Sequence, residues 1–195
     1  ILSQSLANST AARVERWRFG RRIAEARVVA PIFVLGHWRS GTTHLQHLLG
    51  LDPRLAYPTT YQCWFPHTFL STESLGGRML QAFMPPRRPM DNVEWSMHSP
   101  QEDEFALLAA TGMSPYMAWI FPRRASDFDR FLTLRDASAA ELSRWRTTLV
   151  WFLKKVTVRY GRTLVLKSPT HTARVRVLLD IFPDARFVHI HRDPF

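Results

Sequence analysis

The chain has 195 residues, of which 46% are hydrophobic and 12% aromatic, enough apolar material for one folded core. Its 26 basic and 16 acidic side chains give a formal charge of +10, which favours anionic ligands such as nucleotides, acidic glycans, nucleic acid or lipid head groups. The basic residues are spread along the chain and form no tail, which disfavours a nucleic-acid-binding module. We therefore expect residues 1–195 to belong to a single domain.

The number of cysteines indicates the redox compartment in which the protein works. Cys63 is the only cysteine of the 195 residues, so an intrachain disulfide is excluded and a reducing, cytoplasmic compartment is the simpler expectation. The first residues show no signal-peptide pattern of a basic start followed by an apolar core.

The first 30 residues predict an arginine-rich helical lead-in, with Val14, Trp17, Ile23 and Ala24 as its packing contacts. We interpret this segment as a solvated packing or dimer helix. A role at a membrane or on nucleic acid is the less favoured alternative.

Residues 31–35 form a short uncharged run that predicts a strand buried on both faces. A turn bounded by Gly36 and Gly41 follows, and a helix is predicted to begin near Thr42. A strand, a glycine-bounded loop and a helix start direct several backbone N–H groups and the positive end of the helix at one point. Such a point suits a phosphate or sulfate group.

The Walker A loop has the same glycine spacing. Thr43 can supply its final hydroxyl, but Thr42 occupies the position of the Walker lysine, and the cation lies inside the loop at Arg39. A kinase or ATPase would then lack the charge that reaches the terminal phosphates, which disfavours that function. A glycine turn without any ligand is the plain structural alternative.

Two segments rich in proline follow. Residues 57–70 are dense in aromatic residues and prolines, and they predict an irregular wall that suits an apolar or sugar-bearing acceptor. Residues 84–92, MPPRRPMDN, cannot be helical because three prolines remove donors and fix the chain in an extended form. We interpret them as a connection, with a substrate lid as the functional alternative.

A run of three acids stands out in this basic chain. Ser99 at the N-cap, Pro100 at the first helical position and Glu102 three residues after the cap predict a capping box, which would explain Glu102 structurally. A general base is the functional alternative, with Glu102 and Glu104 as the candidates. Helical geometry places these two on different sides, and the sequence does not show which side faces a cleft.

Residues 105–122 carry no charge. Because Gly112, Ser114 and Pro115 interrupt them, they predict a buried helix, a turn and a second apolar piece, and not a transmembrane span. Ser138 and Glu141 then predict a second capping box, which opens a long amphipathic helix whose apolar stripe belongs to the core.

A strand, a helix and a strand are predicted at residues 163–166, 170–182 and 186–190, which makes a parallel βαβ unit. These strands are expected to join the strand at 31–35 in one sheet. Ligands of such sheets bind beyond the carboxyl ends of the strands, where the glycine loop, Lys167 and Arg192 are all expected.

Two histidine pairs are placed so that either could contribute ligands to a metal ion. His44 and His47 share a helix face, and His189 and His191 share a strand face. Neither pair has a third ligand at a recognisable spacing, so no metal site is predicted.

The loop GHWRSGTT resembles the 5′-phosphosulfate-binding loop of sulfotransferases that use 3′-phosphoadenosine 5′-phosphosulfate (PAPS). In that family a lysine or arginine holds the position of Arg39, and small residues and a threonine pair follow it. The resemblance implies that the donor is bound by Arg39, Ser40, Gly41, Thr42 and Thr43.

Two later segments extend the resemblance. Residues 187–194, FVHIHRDP, are similar to the 3′-phosphate-binding strand of the family, which implies that Arg192 grips that phosphate. In the family a serine a couple of helical turns later assists this arginine, and that serine is not present in these 195 residues. Residues 166–169, LKSP, are similar to the strand end that carries a catalytic lysine, here Lys167.

The chain departs from the family pattern at the base. Cytosolic members place a catalytic histidine two residues after the lysine, where this chain has Pro169, and His171 comes two residues later still. Residues 57–60 contain no counterpart of the glutamate used by the tyrosylprotein branch. Glu102 and Glu104 are therefore the candidate bases.

The resemblance covers residues 31–194 and is closest to bacterial members with a P-x-E-D-E segment. It implies a three-layer α/β fold with a parallel sheet, flanking helices and a P-loop-like loop, with the C-terminal part of the domain beyond this chain. The implied reaction is in-line transfer of a sulfuryl group from PAPS to a hydroxyl acceptor without a metal. A small molecule, a glycan or a lipid fits as the acceptor, nucleic acid is not expected, and a homo-oligomer is left open. The alternatives are a non-catalytic nucleotide-binding or scaffold protein of the same fold and, less favoured, a P-loop kinase.

Overall fold

The computed structural model describes residues 2–87 and 94–193. Its four strands are β1 (Ile32–Leu35), β2 (Leu55–Ala56), β3 (Thr163–Lys167) and β4 (Arg186–His189). They form one sheet in the order β2-β3-β1-β4, in which every neighbouring pair is parallel. The predicted α/β class with a parallel sheet is therefore confirmed, and β2 is a strand that the sequence did not predict.

Helices flank the sheet within the described residues. The α-helices are α1 (Leu2–Glu25), α2 (Thr42–Leu49), α3 (Thr60–Trp64), α4 (Phe69–Gln81), α5 (Glu104–Thr111), α6 (Met117–Ile120), α7 (Ser126–Thr133), α8 (Ala139–Tyr160) and α9 (Val175–Ile181). Two short 3₁₀ helices lie at Pro122–Arg124 and Pro169–Ala173. The helix predicted at residues 170–182 is thus divided between the second 3₁₀ helix and α9.

The central strands and α8 supply the core. Phe33 on β1 and Leu166 on β3 are fully buried, as a strand covered on both faces requires. The predicted apolar stripe of α8 packs against them, with Trp145, Leu149 and Phe152 fully buried. Burial of these large side chains fixes the sheet against α8, and therefore fixes the strand ends where the site lies.

The ends of α8 form as the sequence predicts. The Ser138 hydroxyl accepts a hydrogen bond from the Glu141 N–H, and the Glu141 carboxylate accepts one from the Ser138 N–H. Gly161 ends the helix in the left-handed conformation, with φ of 63°.

The expected contacts of α1 are only partly correct. The helix itself is confirmed, but Val14 and Trp17 are 51% and 88% exposed, so the prediction that they pack is wrong. A buried acid makes the contact instead: Glu15 lies 2.5 Å from Lys155 of α8 and accepts a hydrogen bond from the Ser71 N–H. Burial lowers the pKa of Lys155, and the adjacent Glu15 opposes that shift.

The prediction of an irregular wall at residues 57–70 is wrong, because α3 and the start of α4 occupy this segment. The Thr59 hydroxyl accepts a hydrogen bond from the Gln62 N–H, and the Gln62 side chain accepts one from the Thr59 N–H. This reciprocal cap starts a helix between Pro58 and Pro66, which lie outside it.

The capping box predicted at Ser99 is also wrong. The helix begins at Glu104, and the Ser99 hydroxyl accepts a hydrogen bond from the Ser96 N–H. The segment before the helix is extended, since Thr59 and Pro100 form an antiparallel bridge. Glu102 therefore does not cap a helix, and its carboxylate is used elsewhere.

The apolar run at residues 105–122 folds as predicted, with α5 ending at Gly112 and α6 following. None of the helices in the described parts of the chain is both long and apolar enough to cross a membrane. Most of the proline-rich segment considered as a lid, residues 88–92, lies outside the described residues.

Candidate active site

The loop after β1 is closed by contacts from two other segments. A Cβ atom on Gly36 would lie 2.6 Å from the Ile190 carbonyl oxygen and 2.7 Å from the Ser40 hydroxyl, so only glycine fits there. The Gly36 N–H donates to the Thr172 hydroxyl at 2.9 Å, and this hydroxyl donates to the Gly36 carbonyl at 3.3 Å. The residues after β3 and β4 thus hold the start of the loop.

The second half of the loop leads into the amino end of α2. Arg39 and Gly41 have positive φ values of 69° and 97°, which turn the chain sharply before the helix. The Ser40 hydroxyl donates to the His37 carbonyl at 2.7 Å. Among the residues that the structure describes, no side chain caps the helix at Gly41, which leaves the first backbone N–H groups of α2 suited to an anion.

A cavity of about 420 Å³ lies between this loop and the end of β4. Arg39 and Trp38 line one side, and His191 and Arg192 line the other. Two arginines on one small-molecule-sized cavity, whose lining also includes one acid, Asp193, suit a ligand with more than one anionic group. Arg39 and Arg192, predicted from distant parts of the sequence, are therefore brought together.

Lys167 lies at the end of the neighbouring strand. It stands opposite Val34 in the parallel pairing of β3 with β1, two residues before the loop begins. Its side chain is not among those that line the Arg39 cavity; its ammonium lies 2.6 Å from the Glu102 carboxylate. Arg39 and Arg192 therefore share one cavity, and Lys167 lies beside it at the end of the adjacent strand.

Glu102 receives two hydrogen bonds at this edge. Its Oε1 accepts from Lys167 Nζ, and its Oε2 accepts from the Tyr116 hydroxyl at 2.6 Å. Burial, reinforced by the Glu102 charge, raises the pKa of Tyr116 far above its usual range. Tyr116 therefore stays protonated and acts as a hydrogen-bond donor to Glu102. The Glu102 side chain is 16% exposed, so its carboxylate is both held in place and open to solvent.

The three consecutive acids each pair with a different side chain from residues 167–174, at and just after the end of β3. Glu102 pairs with Lys167, Asp103 with His171, and Glu104 with Arg174. The Asp103 and Glu104 side chains are fully buried, whereas that of Glu102 reaches solvent. These three pairs therefore anchor the start of α5 to residues 167–174. They leave Glu102 as the one acid of the three that reaches the site.

Glu104 is engaged at both oxygens. Arg174 Nη1 lies 2.5 Å from Oε2 and Nη2 lies 3.2 Å from Oε1, and the Thr170 hydroxyl also donates to Oε2. The Arg174 guanidinium lies 4.9 Å from the centre of the Trp145 ring. Both acids are hydrogen-bonded at both oxygens, but the Glu104 side chain has no exposed surface whereas that of Glu102 is 16% exposed, so burial favours Glu102 over Glu104 as the base.

His171 lies behind the site. Its Nε2 is 2.7 Å from Asp103 Oδ2, and its ring meets Phe33 edge-on with centroids 5.3 Å apart. Both side chains of the pair have no exposed surface. His171 therefore supports the fold of the site and does not face a ligand.

Sequence reasoning missed Tyr116 and Arg174. Tyr116 is the one tyrosine within the uncharged run at 105–122, and a large side chain with a hydroxyl in that run was a usable signal. Arg174 gave no comparable signal, because its pairing with Glu104 joins positions 70 apart in the chain.

Metal ligands were also considered. Within residues 2–87 and 94–193, no three His, Cys, Asp or Glu side chains are grouped to hold a metal ion. The His189 and His191 rings stack on each other with centroids 6.3 Å apart.

The parallel sheet, the glycine loop at its edge and the flanking helices define a protein of the P-loop-like α/β fold. A family model described as the sulfotransferase family matches residues 31–195, and the chain belongs to this family. The predicted class of enzyme fold is therefore confirmed.

Two relatives are named omega-hydroxy-beta-dihydromenaquinone-9 sulfotransferase Stf3, one from Mycobacterium bovis and one from Mycobacterium tuberculosis. Each is 43% identical over 193 residues, which is 98% of this chain and 49% of the relative. The chain thus spans about half the length of these relatives.

Two crystal structures share the fold. Sulfotransferase STF9 from Mycobacterium avium matches 94% of this chain and 47% of its own, with a TM-score of 0.67 and 23% identity. Sulfotransferase STF1 from Mycobacterium tuberculosis matches 93% of this chain and 50% of its own, with a TM-score of 0.58 and 18% identity.

Proposed function

We propose that the protein transfers a sulfuryl group from PAPS to a hydroxyl-bearing acceptor. The observation that carries the proposal is the contact of the Lys167 ammonium with the Glu102 carboxylate at 2.6 Å, next to the anion-binding loop. A cation for developing negative charge and a base for a hydroxyl proton are the two groups that this reaction needs. Membership of the sulfotransferase family supports the same reaction.

The loop would hold the 5′-phosphosulfate end of the donor. Arg39 supplies the positive charge, and the uncapped amino end of α2 supplies the N–H groups of Thr42 and Thr43. Ser40 and Gly41 shape the turn between them. The chemistry of this set fits the mixed phosphoric–sulfuric anhydride of a phosphosulfate, which carries charge but demands no metal.

Arg192 would hold the 3′-phosphate. It lines the Arg39 cavity from the opposite side, so one ligand with anionic groups at both ends reaches both residues. A nucleotide with phosphates at its 3′ and 5′ positions has this arrangement of charge. Discrimination against nucleotides without a 3′-phosphate is therefore assigned to Arg192.

The transfer step divides between Glu102 and Lys167. Glu102 accepts the proton of the acceptor hydroxyl while the acceptor oxygen forms a bond to sulfur and the bond from sulfur to the 5′-phosphate oxygen breaks. Lys167 stabilises the charge that grows on the departing oxygen. The products are the sulfate ester and 3′-phosphoadenosine 5′-phosphate, and the hydroxyl proton passes from Glu102 to solvent.

Tyr116 orients the base. Its hydroxyl donates to Glu102 Oε2 while Lys167 occupies Oε1, so the carboxylate plane is fixed between two donors. Preorganisation of this kind keeps a base at the geometry that proton transfer requires.

For the acceptor we propose a lipid-like alcohol. The name of the relatives specifies an omega-hydroxylated dihydromenaquinone, which is an apolar molecule with a hydroxyl group. For the compartment we propose the cytoplasm, supported by Cys63, which is free and buried. The non-catalytic scaffold alternative differs from this proposal in predicting nucleotide binding without turnover.

The proposal is tested with the full-length protein, ³⁵S-labelled PAPS and a panel of hydroxylated isoprenoid quinones, sterols, phenols and glycans. We expect label to appear in an apolar alcohol with the wild type. Lys167→Ala should abolish this transfer while 3′-phosphoadenosine 5′-phosphate still binds. Nucleotide binding without transfer to any acceptor would favour the scaffold, and transfer of the γ-phosphate of ATP would favour the kinase.

A further inference from the structure

The solvent-exposed surface of α1 is strongly cationic. Five arginines of this helix have exposed side chains: Arg13, Arg16, Arg18, Arg21 and Arg22. Exposed Arg27 follows two residues after the helix ends. These six arginines lie within fifteen residues, so this part of the chain presents a positively charged surface to solvent.

The acids of α1 do not cancel this charge. Glu15 turns inward and is 2% exposed, with its carboxylate 2.5 Å from the ammonium of Lys155. Glu25 pairs with Arg21 at 2.8 Å, at the end of the helix. The remaining exposed arginines therefore present net positive charge to solvent.

Apolar side chains stand among these arginines. Trp17 is 88% exposed and Val14 is 51% exposed, although tryptophan is usually among the well-buried residues. Arg18 and Arg22 lie over the Phe19 ring, at 5.4 and 5.6 Å from its centre. Aromatic bodies between arginine head groups match the interface of a bilayer, where the rings enter the head-group boundary and the cations stay at the phosphate level.

A groove beside this face adds a second, independent feature. A cavity of about 570 Å³ lies between α1 and α8 and is lined by apolar side chains that include Ile23, Val150 and Trp151. Arg16 and Lys154 also line it. The buried Glu15–Lys155 ion pair, His67 and Thr147 complete the lining. A groove with a largely apolar surface and cations at its border has the form needed for an acyl chain with an anionic head group.

We propose that α1 docks the protein onto the surface of an anionic bilayer, with Trp17 in the head-group boundary and the arginines on lipid phosphates. A second copy of this chain is a poor occupant, because two arginine-rich faces repel each other. Nucleic acid accounts for the arginines but not for the apolar groove. Docking through α1 does not depend on the transfer reaction, and it is measured without donor or acceptor.

The test is cosedimentation of the full-length protein with phosphatidylcholine vesicles that contain 0 or 30% phosphatidylglycerol. Binding should require the anionic lipid and fall with added salt. Each arginine at an anionic surface contributes about a fivefold factor, so Arg13→Gln/Arg16→Gln/Arg18→Gln should weaken binding roughly a hundredfold. Trp17→Ser should weaken it about tenfold, because a large apolar surface no longer leaves water.

Matched controls test whether the location on α1 matters or only the number of arginines and tryptophans removed. The charge control removes three exposed arginines elsewhere: Arg123→Gln, Arg135→Gln and Arg144→Gln. The aromatic control is Trp119→Ser, at a tryptophan that is 62% exposed on α6. Both controls should bind vesicles within about threefold of the wild type, since surface electrostatics act only within a Debye length. Equal losses in controls and α1 variants would overturn the proposal.

Accessibility in the full-length protein supplies a second readout. A cysteine placed by Trp17→Cys should react with a maleimide in solution and be protected by anionic vesicles, with the wild type measuring the background. Failure to react without vesicles would show that another part of the polypeptide covers the face, which overturns the proposal. Binding to single-stranded or duplex nucleic acid in place of vesicles, or dissociation of an oligomer by Trp17→Ser, would overturn it as well.

Discussion

The Lys167 ammonium and the Glu102 carboxylate lie 2.6 Å apart although they are 65 positions apart in the chain. β3 brings the lysine to the edge of the sheet, and the extended segment before α5 brings the glutamate. The pair is 4% and 16% exposed at its side chains, so it is shielded from most water yet open on one side. That combination suits a group that must exchange a proton with a bound acceptor.

Substitution of this pair should separate binding from chemistry. Lys167→Ala and Glu102→Gln should each lower kcat by about a hundredfold or more, because one removes a charge-stabilising donor and the other removes the base. Steady-state transfer and calorimetric titration of the product nucleotide would measure the two effects. Asp180→Asn, at an exposed ion pair with Arg146, is the matched control. Full transfer by Glu102→Gln would eliminate Glu102 as the base.

Glu104 should matter for stability. Glu104→Gln leaves the buried Arg174 guanidinium without its charge partner, so the free energy of unfolding should fall by about 3–5 kcal/mol. Urea unfolding followed by circular dichroism measures this loss. Glu25→Gln, at an exposed pair, should change the free energy of unfolding by less than about 1 kcal/mol. A stable Glu104→Gln protein that binds donor but cannot transfer would reassign the base to Glu104.

The two arginines of the cavity should affect different parts of the donor. Arg39→Ala and Arg192→Ala should each weaken binding of 3′-phosphoadenosine 5′-phosphate by about tenfold to a hundredfold, through loss of a charge-assisted hydrogen bond. Only Arg192→Ala should reduce the preference for this nucleotide over AMP. Arg54→Ala, at an exposed arginine paired with Asp52, is the control. An unchanged preference in Arg192→Ala would place the 3′-phosphate elsewhere.

Gly36 should tolerate no side chain. Gly36→Ala places a Cβ 2.6 Å from the Ile190 carbonyl, so the end of β4 must shift at a cost of about 1–3 kcal/mol. We expect a lower free energy of unfolding together with weaker nucleotide binding, since Arg192 follows Ile190. Gly161→Ala, which has φ of 63° and no atom near its Cβ, isolates the effect of backbone conformation. Equal nucleotide affinity in the two variants would contradict the role of the loop.

The Glu141 carboxylate in the cap of α8 should make the free energy of unfolding depend on pH. Hydrogen bonds from Arg130 and then from Ser138 lower the pKa of Glu141 from 4.5 to about 2. Because the pKa is lower in the folded state, this carboxylate stabilises the fold above pH 4.5, and the contribution is lost as the pH falls toward 2. The wild type should therefore exceed Glu141→Gln in free energy of unfolding by an amount that shrinks across this window. A constant difference from pH 7 to pH 2 would contradict the assignment.

Local signals predicted the parts of the fold that depend on neighbouring residues. The strand before Gly36, the cap of α8 at Ser138 and the interruption at Gly112 all follow from a few adjacent side chains. The reciprocal cap of α3 at Thr59 and Gln62 carried the same kind of signal, but the prolines around it obscured it.

The site residues were harder to predict from the sequence, because their roles depend on contacts between positions that are far apart in the chain. Arg39 and Arg192 could be placed together because parallel strands end at one edge. The choice between Glu102 and Glu104 could not be made, because it depends on which acid Arg174 neutralises in the interior. The exposure of Trp17 was likewise hidden, since a periodic pattern does not reveal that Glu15 takes the buried position.

Calorimetric titration of the full-length protein with 3′-phosphoadenosine 5′-phosphate, AMP and ATP tests the central claim most directly. We predict tight binding of 3′-phosphoadenosine 5′-phosphate and binding of AMP and ATP that is weaker by about tenfold or more, because only the first nucleotide places anions at both Arg39 and Arg192. Equal or tighter binding of ATP would contradict the proposed donor.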